Sequence, residues 1–265
     1  MLIESKDLPL GEDFLRGIHD FCVRAHSDGR LVIGEGIDYY LRQDYLNKSL
    51  PLIGRATSHI GVDPDRWRKI LVDACAQVAS GVDRYVEPKD MLVYYLWRAG
   101  LAFLPGFSAL GVKEHYHFGL RRNESNPDMT EEVYLPLNEV LRGYSSSQHV
   151  IADVMLATGG SVSTFIKSLS ERGVRTNQIT LACLIAAPEG VYNLLNEYPD
   201  IRIFAGKLDH HLDGSGYIVP GLGDAGDKLF SDLSLEFFEP FRLFFNEFEW
   251  HLLAQKIKKA NLIMA

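Results

Sequence analysis

An α/β fold, with a mainly parallel sheet flanked by helices, is predicted from two features of this sequence. Over residues 86–230, short apolar runs of strand length alternate with segments of helical periodicity. Strand, helix and strand in succession imply right-handed crossovers, which leave the strands parallel. Outside that stretch the chain reads as helix, with a mainly helical region over 1–85 and an aromatic helical arm over 231–265.

The elements follow in chain order. Phe14, Ile18, Phe21, Cys22 and Ala25 recur at helical spacing. A second helix is expected to open at Asp63-Pro64, an acid at the N-cap and proline at the first helical position. Its apolar face is Trp67, Ile70, Leu71, Ala74, Cys75 and Val78, and Ser80-Gly81 should end it. Met91–Trp97 (MLVYYLW) reads as a buried strand stopped by Arg98-Ala99-Gly100, and His115 and His117 alternate on one face of a further strand. His149–Met155 (HVIADVM) is the next strand, followed by a turn of small residues and a helix over Val162–Arg172 closed by Gly173. Thr180–Ala186 (TLACLIA) is again a strand, Pro188-Glu189 starts a helix reaching Tyr198, and Ile201–Phe204 is the last strand. In the arm, Pro240 should start a helix carrying Phe241, Phe244, Phe245, Phe248 and Leu252 on one broad face. Each buried phenylalanine is worth roughly 1.5–3 kcal/mol, so that face must pack on the domain or on another subunit.

Composition narrows the class of function. The 265 residues carry 27 Lys+Arg against 35 Asp+Glu, a formal net charge of −8, with 46% hydrophobic and 23% charged residues. That is the make-up of a folded soluble protein and excludes a disordered chain, a collagen-like rod or a disulfide scaffold. An acidic balance without a basic run argues against nucleic acid as partner. The first twenty residues do not have the shape of a signal peptide, and no run approaches the roughly eighteen apolar residues of a membrane span. Cys22, Cys75 and Cys183 are far apart with no CxxC pair, so neither a zinc ribbon nor a dithiol motif is present, and a reducing cytoplasm is the expected home.

Chemistry concentrates in Val150–Ser161 (VIADVMLATGGS), where a strand delivers Asp153 to a turn of small residues at a helix start. The carboxyl end of a parallel sheet is where ligands bind in such folds. Backbone N–H groups of the turn, together with the helix dipole, form a seat for phosphate. Gly159 and Gly160 permit close approach, while Thr158 and Ser161 add hydroxyls. Asp153 would repel a phosphate and suits instead the hydroxyls of the sugar that carries it, or a magnesium ion. A Walker loop and a dinucleotide fingerprint both fail for want of their spacings. Asp209-His210-His211 with Asp213 suggests a metal cluster, but neighbouring side chains on a strand point oppositely, and surface or pocket-rim roles are favoured.

Three segments in this order, VIADVMLATGGS, LIAAPEGVYNLL and GYIVPGLGDAGDKLF, resemble the uracil phosphoribosyltransferase family of the type I phosphoribosyltransferase fold, and WRAGL at 97–101 and FGLRRNE at 118–124 are similar to two more of its motifs. The likeness covers about residues 91–230. It implies transfer of a 5-phosphoribosyl group from phosphoribosyl diphosphate to uracil or a related pyrimidine, with Mg2+ as cofactor and a homodimer or higher homo-oligomer as assembly. By the same resemblance, Asp153, Met155, Leu156, Ala157, Thr158, Gly159, Gly160 and Ser161 bind the ribose 5-phosphate. Arg98 and Arg122 hold the diphosphate, with Gly100 easing the backbone's approach. Tyr217, Ile218, Gly223, Asp224 and Ala225 face the base, and Asp224 also lies near the sugar-diphosphate and the magnesium. Arg98, Asp153 and Asp224 are the implied catalytic residues.

The chain departs from the family around this pocket. No counterpart of the family's N-terminal Arg-Asp-Thr type segment is found, and the helix of Trp67 replaces a β-rich stretch. Val154 stands where the family has proline, Trp97 where an aliphatic residue is usual, and Arg121 where an aromatic is. The other reading is therefore a non-catalytic relative that binds nucleotide as a sensor or partner subunit.

Overall fold

The computed structural model describes residues 3, 7–34, 64–122, 131–137, 147–230 and 233–264. Helix α1 (Glu12–Ser27) leads into a short strand β1 (Leu31–Ile33), and helix α2 (Pro64–Val82) precedes β2 (Met91–Trp97). Then come α3 (Leu104–Ala109), β3 (Glu114–Arg122), β4 (Glu131–Leu135) and β5 (Gln148–Leu156). Two strand–helix units follow, α4 (Gly160–Ser170) with β6 (Ile179–Ala186) and α5 (Pro188–Glu197) with β7 (Arg202–Leu208). A two-stranded hairpin, β8 (His211–Leu212) and β9 (Ile218–Val219), then α6 (Ala225–Phe230), complete the part that carries the motifs. The arm is a 3-10 segment (Leu235–Phe244) and helix α7 (Glu247–Met264).

Seven strands form the main sheet in the order β1-β7-β6-β5-β2-β3-β4, all pairs parallel except β3 with β4. Alternate residues of β2 go to opposite sides. Met91, Val93, Tyr95 and Trp97 join a core with α2, α3, α6 and the arm, whereas Leu92, Tyr94 and Leu96 join one with α1, α4 and α5. Both faces are therefore covered, which explains why the central strands read as unbroken apolar runs.

Four expectations need correction. Gly81 does not end α2 but lies inside it, because a Cβ there would come within 2.2 Å of the Phe204 ring on β7; the missing side chain serves packing. The expected cap Asp63 lies outside the described residues. Strand β7 continues past Phe204 to Leu208, since Lys207 and Leu208 still pair with Ile185 and Ala186 although Gly206-Lys207 interrupts the apolar run. Pro240 starts no α-helix and sits within the 3-10 segment. The helix opens instead at a capping box, where Asn246 Oδ1 accepts from the Glu249 amide (2.8 Å) and the Glu249 carboxylate accepts from the Asn246 amide (2.8 Å). Finally, Phe248 leaves the expected apolar face and is 62% exposed, while Phe245 and Phe238 are buried.

Candidate active site

The strand order places the candidate residues where sequence alone could not. From β2 the chain moves outward to β3, and from β5 it moves the other way to β6 and β7, so the direction reverses between the adjacent strands β2 and β5. A crevice opens at the carboxyl ends of strands at such a switch point. Arg98 follows β2 and the Asp153–Ser161 segment ends β5, so the two borders of that crevice are the two predicted anion-binding segments. They touch closely: a Cβ on Gly100 would lie 2.3 Å from the Ala152 carbonyl oxygen, so only glycine lets the Arg98 loop lie against β5.

In the turn expected to seat the phosphate, Gly159 has φ +89° and caps α4, which begins at Gly160 rather than at Val162. The left-handed cap turns the following backbone amides toward the crevice end of the helix. Half-buried Asp153 accepts a hydrogen bond from the next amide, Val154, at 2.7 Å, and Val154 itself is buried in the core. Leu156 turns its side chain into the core, and its carbonyl accepts from the Ala187 amide at 2.8 Å. Met155 packs partly against the core on the opposite side of the sheet, whereas Ala157, Thr158 and Ser161 are half-buried and Gly160 is exposed. Asn193 on α5, which the sequence reading missed, binds the loop from behind. Its Nδ2 donates to the Thr158 carbonyl (2.9 Å) and to the Ile3 carbonyl (2.8 Å), and its Oδ1 accepts from the Ile3 amide (2.7 Å). A polar residue inside the apolar stretch VYNLL was the only sequence signal for it.

Helix α5 presses on the same loop. A Cβ on Gly190 would fall 2.3 Å from the Ala157 carbonyl oxygen. Gly190→Ala must therefore shift the loop backbone, and we expect a stability loss of about 1–3 kcal/mol with a roughly tenfold higher KM for the phosphorylated substrate. Thermal melts and steady-state kinetics check both; unaltered kinetics would show that the loop does not seat the substrate.

On the other border of the crevice, the Arg98 guanidinium donates to Asp227 and lies 5.7 Å from the centroid of the Phe230 ring. The backbone of Arg122 ends β3, but its side chain, like that of Arg121, lies outside the described residues.

The segment expected to face the base hangs from the sheet by buried carboxylates. Glu189 at the start of α5 accepts from the Leu212 amide at 2.9 Å. Asp209, 2% exposed, accepts from the Gly221 amide at 2.9 Å and pairs with Lys207 at 3.4 Å. Lys228 donates to the Leu222 carbonyl at 2.8 Å, and burial lowers its pKa. The Gly221–Gly223 turn, with φ of +56° and +66° at its two glycines, is thus gripped on both sides. Asp213 forms the hairpin turn, accepting from Ser215 (2.8 Å) and Tyr217 (3.0 Å) amides. His210 is exposed, and its carbonyl is bonded to His19. Asp209 and Asp213 are thus explained as backbone anchors. Tyr217, Gly223 and Asp224 are half-buried, and Ile218 and Ala225 are buried. Asp224 caps α6, its Oδ1 accepting from the Asp227 amide at 2.8 Å.

The arm reaches the site through Trp97, the residue before Arg98. The Trp97 indole donates to His117 Nδ1 at 2.9 Å, so the other ring nitrogen of His117 donates to the Phe244 carbonyl, 2.9 Å away. Phe245 stacks on His117 at 4.3 Å and meets Trp97 edge-on at 6.3 Å. His115 lies alongside, bonded to Tyr95 (2.8 Å) and to the Val112 carbonyl (3.0 Å). Burial pushes the pKa of His117 down to about 3 and that of His115 to about 4. The histidines of β3 are packing residues that seat the arm, and the departure at Trp97 is what the arm holds.

Comparison with known proteins agrees with this geometry. A family model described as uracil phosphoribosyltransferase matches residues 53–231, which takes in α2 as well as the motifs. A uracil phosphoribosyltransferase from Streptococcus pyogenes serotype M49 is 40% identical over 161 residues, covering 60% of this chain and 74% of the relative. A second, from serotype M1, shows the same identity and coverage. The AQ2163 protein from Aquifex aeolicus superposes with a TM-score of 0.60 at 23% identity, over 75% of this chain and 97% of that one, a likeness of fold. With its motifs gathered at one switch point and the family match spanning more than half its length, the chain belongs to the uracil phosphoribosyltransferase family and is a pentosyltransferase.

Proposed function

We propose that the crevice transfers the 5-phosphoribosyl group of phosphoribosyl diphosphate to uracil or a related pyrimidine, releasing diphosphate and the nucleoside monophosphate. The observation that carries the reading is the convergence on one crevice of the left-handed Gly159 phosphate loop, Arg98, and the Gly223–Ala225 turn whose helix carries Asp227 to Arg98. The Thr158–Ser161 backbone and hydroxyls would seat the 5-phosphate, and Asp153 the ribose hydroxyls. Arg98, with Arg122, would neutralise the leaving diphosphate as the bond to the anomeric carbon breaks through a cation-like transition state. Uracil is flat, with alternating donors and acceptors. The fixed backbone of Ile218, Gly223 and Ala225, beside Tyr217, suits it without side-chain ordering.

Among the described residues no group of three or more His, Cys, Asp or Glu side chains gathers as a metal cage. Mg2+ needs no such cage when phosphate and water fill most of its coordination sphere. The carboxylates of Asp153 and Asp224 are hard oxygen donors of the right kind, and an ion entering with the diphosphate would add positive charge at the leaving group. Buried thiols at Cys22, Cys75 and Cys183 fit a reducing cytoplasm. Among the described residues, no helix is long and apolar enough to cross a membrane. Leu243 (76% exposed) and Phe248 (62%) are apolar side chains that a homo-oligomer would cover.

The test is incubation with phosphoribosyl diphosphate, Mg2+ and a panel of bases, with nucleotide and diphosphate both quantified. Stoichiometric uridine monophosphate and diphosphate are expected. Nucleotide binding without turnover on any base would overturn the enzymatic reading in favour of a sensor or partner subunit.

A further inference from the structure

Arg98 is engaged by an anion that the protein itself supplies. Its guanidinium donates to Asp227 Oδ1 across 129 residues of sequence, and the side chains are 27% and 53% exposed, so the pair lies at the mouth of the crevice. The contact is held from both ends. Asp227 belongs to the first turn of α6, and its amide is fixed by Asp224. Gly226 in that turn lies next to Arg98, where a Cβ would sit at ordinary contact distance, 3.7 Å, from both the Cβ and the Nε of the arginine. Phe230, one turn further along α6, faces the guanidinium at 5.7 Å.

We infer that Asp227 is a stand-in anion, occupying on Arg98 a place that the diphosphate takes when it binds. This rests on the assignment of Arg98 to the diphosphate made above. A carboxylate and a phosphate present the same pair of oxygens to a guanidinium, and both are charge-assisted partners of the same N–H groups. A diphosphate arriving beside an unchanged Arg98–Asp227 pair meets a carboxylate of like charge. Handing the guanidinium over removes that conflict. The exchange also gives the site a favourable state in both conditions: the arginine is never left as an unpaired, three-quarters-buried cation, and the product diphosphate leaves against a waiting competitor. The same four residues, Asp224 to Asp227, hold the sugar-side carboxylate, the base-side backbone and the stand-in, so Arg98 changes partner within the element that reads the base.

Calorimetric titration of inorganic diphosphate with Mg2+ tests this on the full chain as wild type, Asp227→Asn, Arg98→Ala and the double variant. Asp227→Asn keeps shape and polarity but removes the competing charge, and should bind diphosphate about tenfold more tightly. Product release should slow accordingly. Arg98→Ala should bind weakly, and Asp227→Asn should add nothing in its background, because the stand-in has then lost its arginine. Asp227→Ser repeats the comparison with a second uncharged side chain, so a poorly folding asparagine variant does not decide the outcome. Unchanged or weaker binding by the folded Asp227 variants would overturn the stand-in role, leaving Asp227 as a support for Arg98. Wild-type affinity in Arg98→Ala would instead overturn the assignment of Arg98 itself.

Discussion

Arg98→Ala should lower kcat/KM for phosphoribosyl diphosphate by about 10²–10³-fold while the protein stays folded. On the proposed role of Arg98, the size follows from removing one charge-assisted, partly desolvated contact to a leaving group that gains charge in the transition state, a loss of roughly 2.7–4 kcal/mol. The fold is expected to survive because Arg98 lies at the rim of the core, over the Phe230 ring, rather than inside it, and its partner Asp227 is half exposed and returns to water. Steady-state kinetics with unchanged circular dichroism would establish the result. Rates near wild type would show that the diphosphate is held elsewhere. Arg98→Lys should recover only part of the loss, since an ammonium cannot present two parallel N–H groups.

The second large effect is expected far from any substrate. Phe245→Ala should destabilise the protein by about 3–5 kcal/mol and lower Tm by roughly 10 °C. Phe245 is 4% exposed and touches Trp97, His117, Phe238 and Trp250, so its removal opens a cavity between the sheet and the arm. The same junction is acid-sensitive. His115 and His117 are held neutral by burial, at about 4 and about 3, against 6.5 for an ordinary histidine. Below pH 6.5 the unfolded chain therefore takes up protons that the folded chain refuses. Stability is full above that pH and drains as the pH falls toward 3. Lys113 opposes protonation of His115 and Glu114 favours it, so the two neighbours partly offset one another. Thermal melts from pH 8 to pH 4 would show the decline, and a flat profile would mean that the histidines are not sealed by the arm.

The strands around the crevice were legible because burial on both faces leaves apolar runs that no helix of that length would show, as in Met91–Trp97 and Thr180–Ala186. The turn between β5 and α4 was legible because its small residues are consecutive, between an apolar strand and a helical period. Strand β1 was not, since three residues pairing Leu31 with Ile203 make an edge too short for periodicity to register. The start of α7 was misplaced because proline is only a permissive signal, and the reciprocal Asn246–Glu249 cap decided the position. Strand order was hidden as well, and with it the crevice between β2 and β5. Asp227, Asn193 and Asp209 act on backbone or side chains 12 to 190 residues away, distances at which a single sequence carries no pattern.

The tryptophans give the seating of the arm an optical consequence. Two of the three indoles, Trp97 and Trp250, meet the same Phe245 ring, at 6.3 and 5.6 Å. The third, Trp67, lies 5.8 Å from the Lys228 ammonium that holds the base-side turn. Intrinsic fluorescence therefore samples both the arm junction and the Gly221–Gly223 turn that Lys228 holds. Trp67→Phe would leave the arm signal, and phenylalanine at both Trp97 and Trp250 the signal of Trp67, without any attached label.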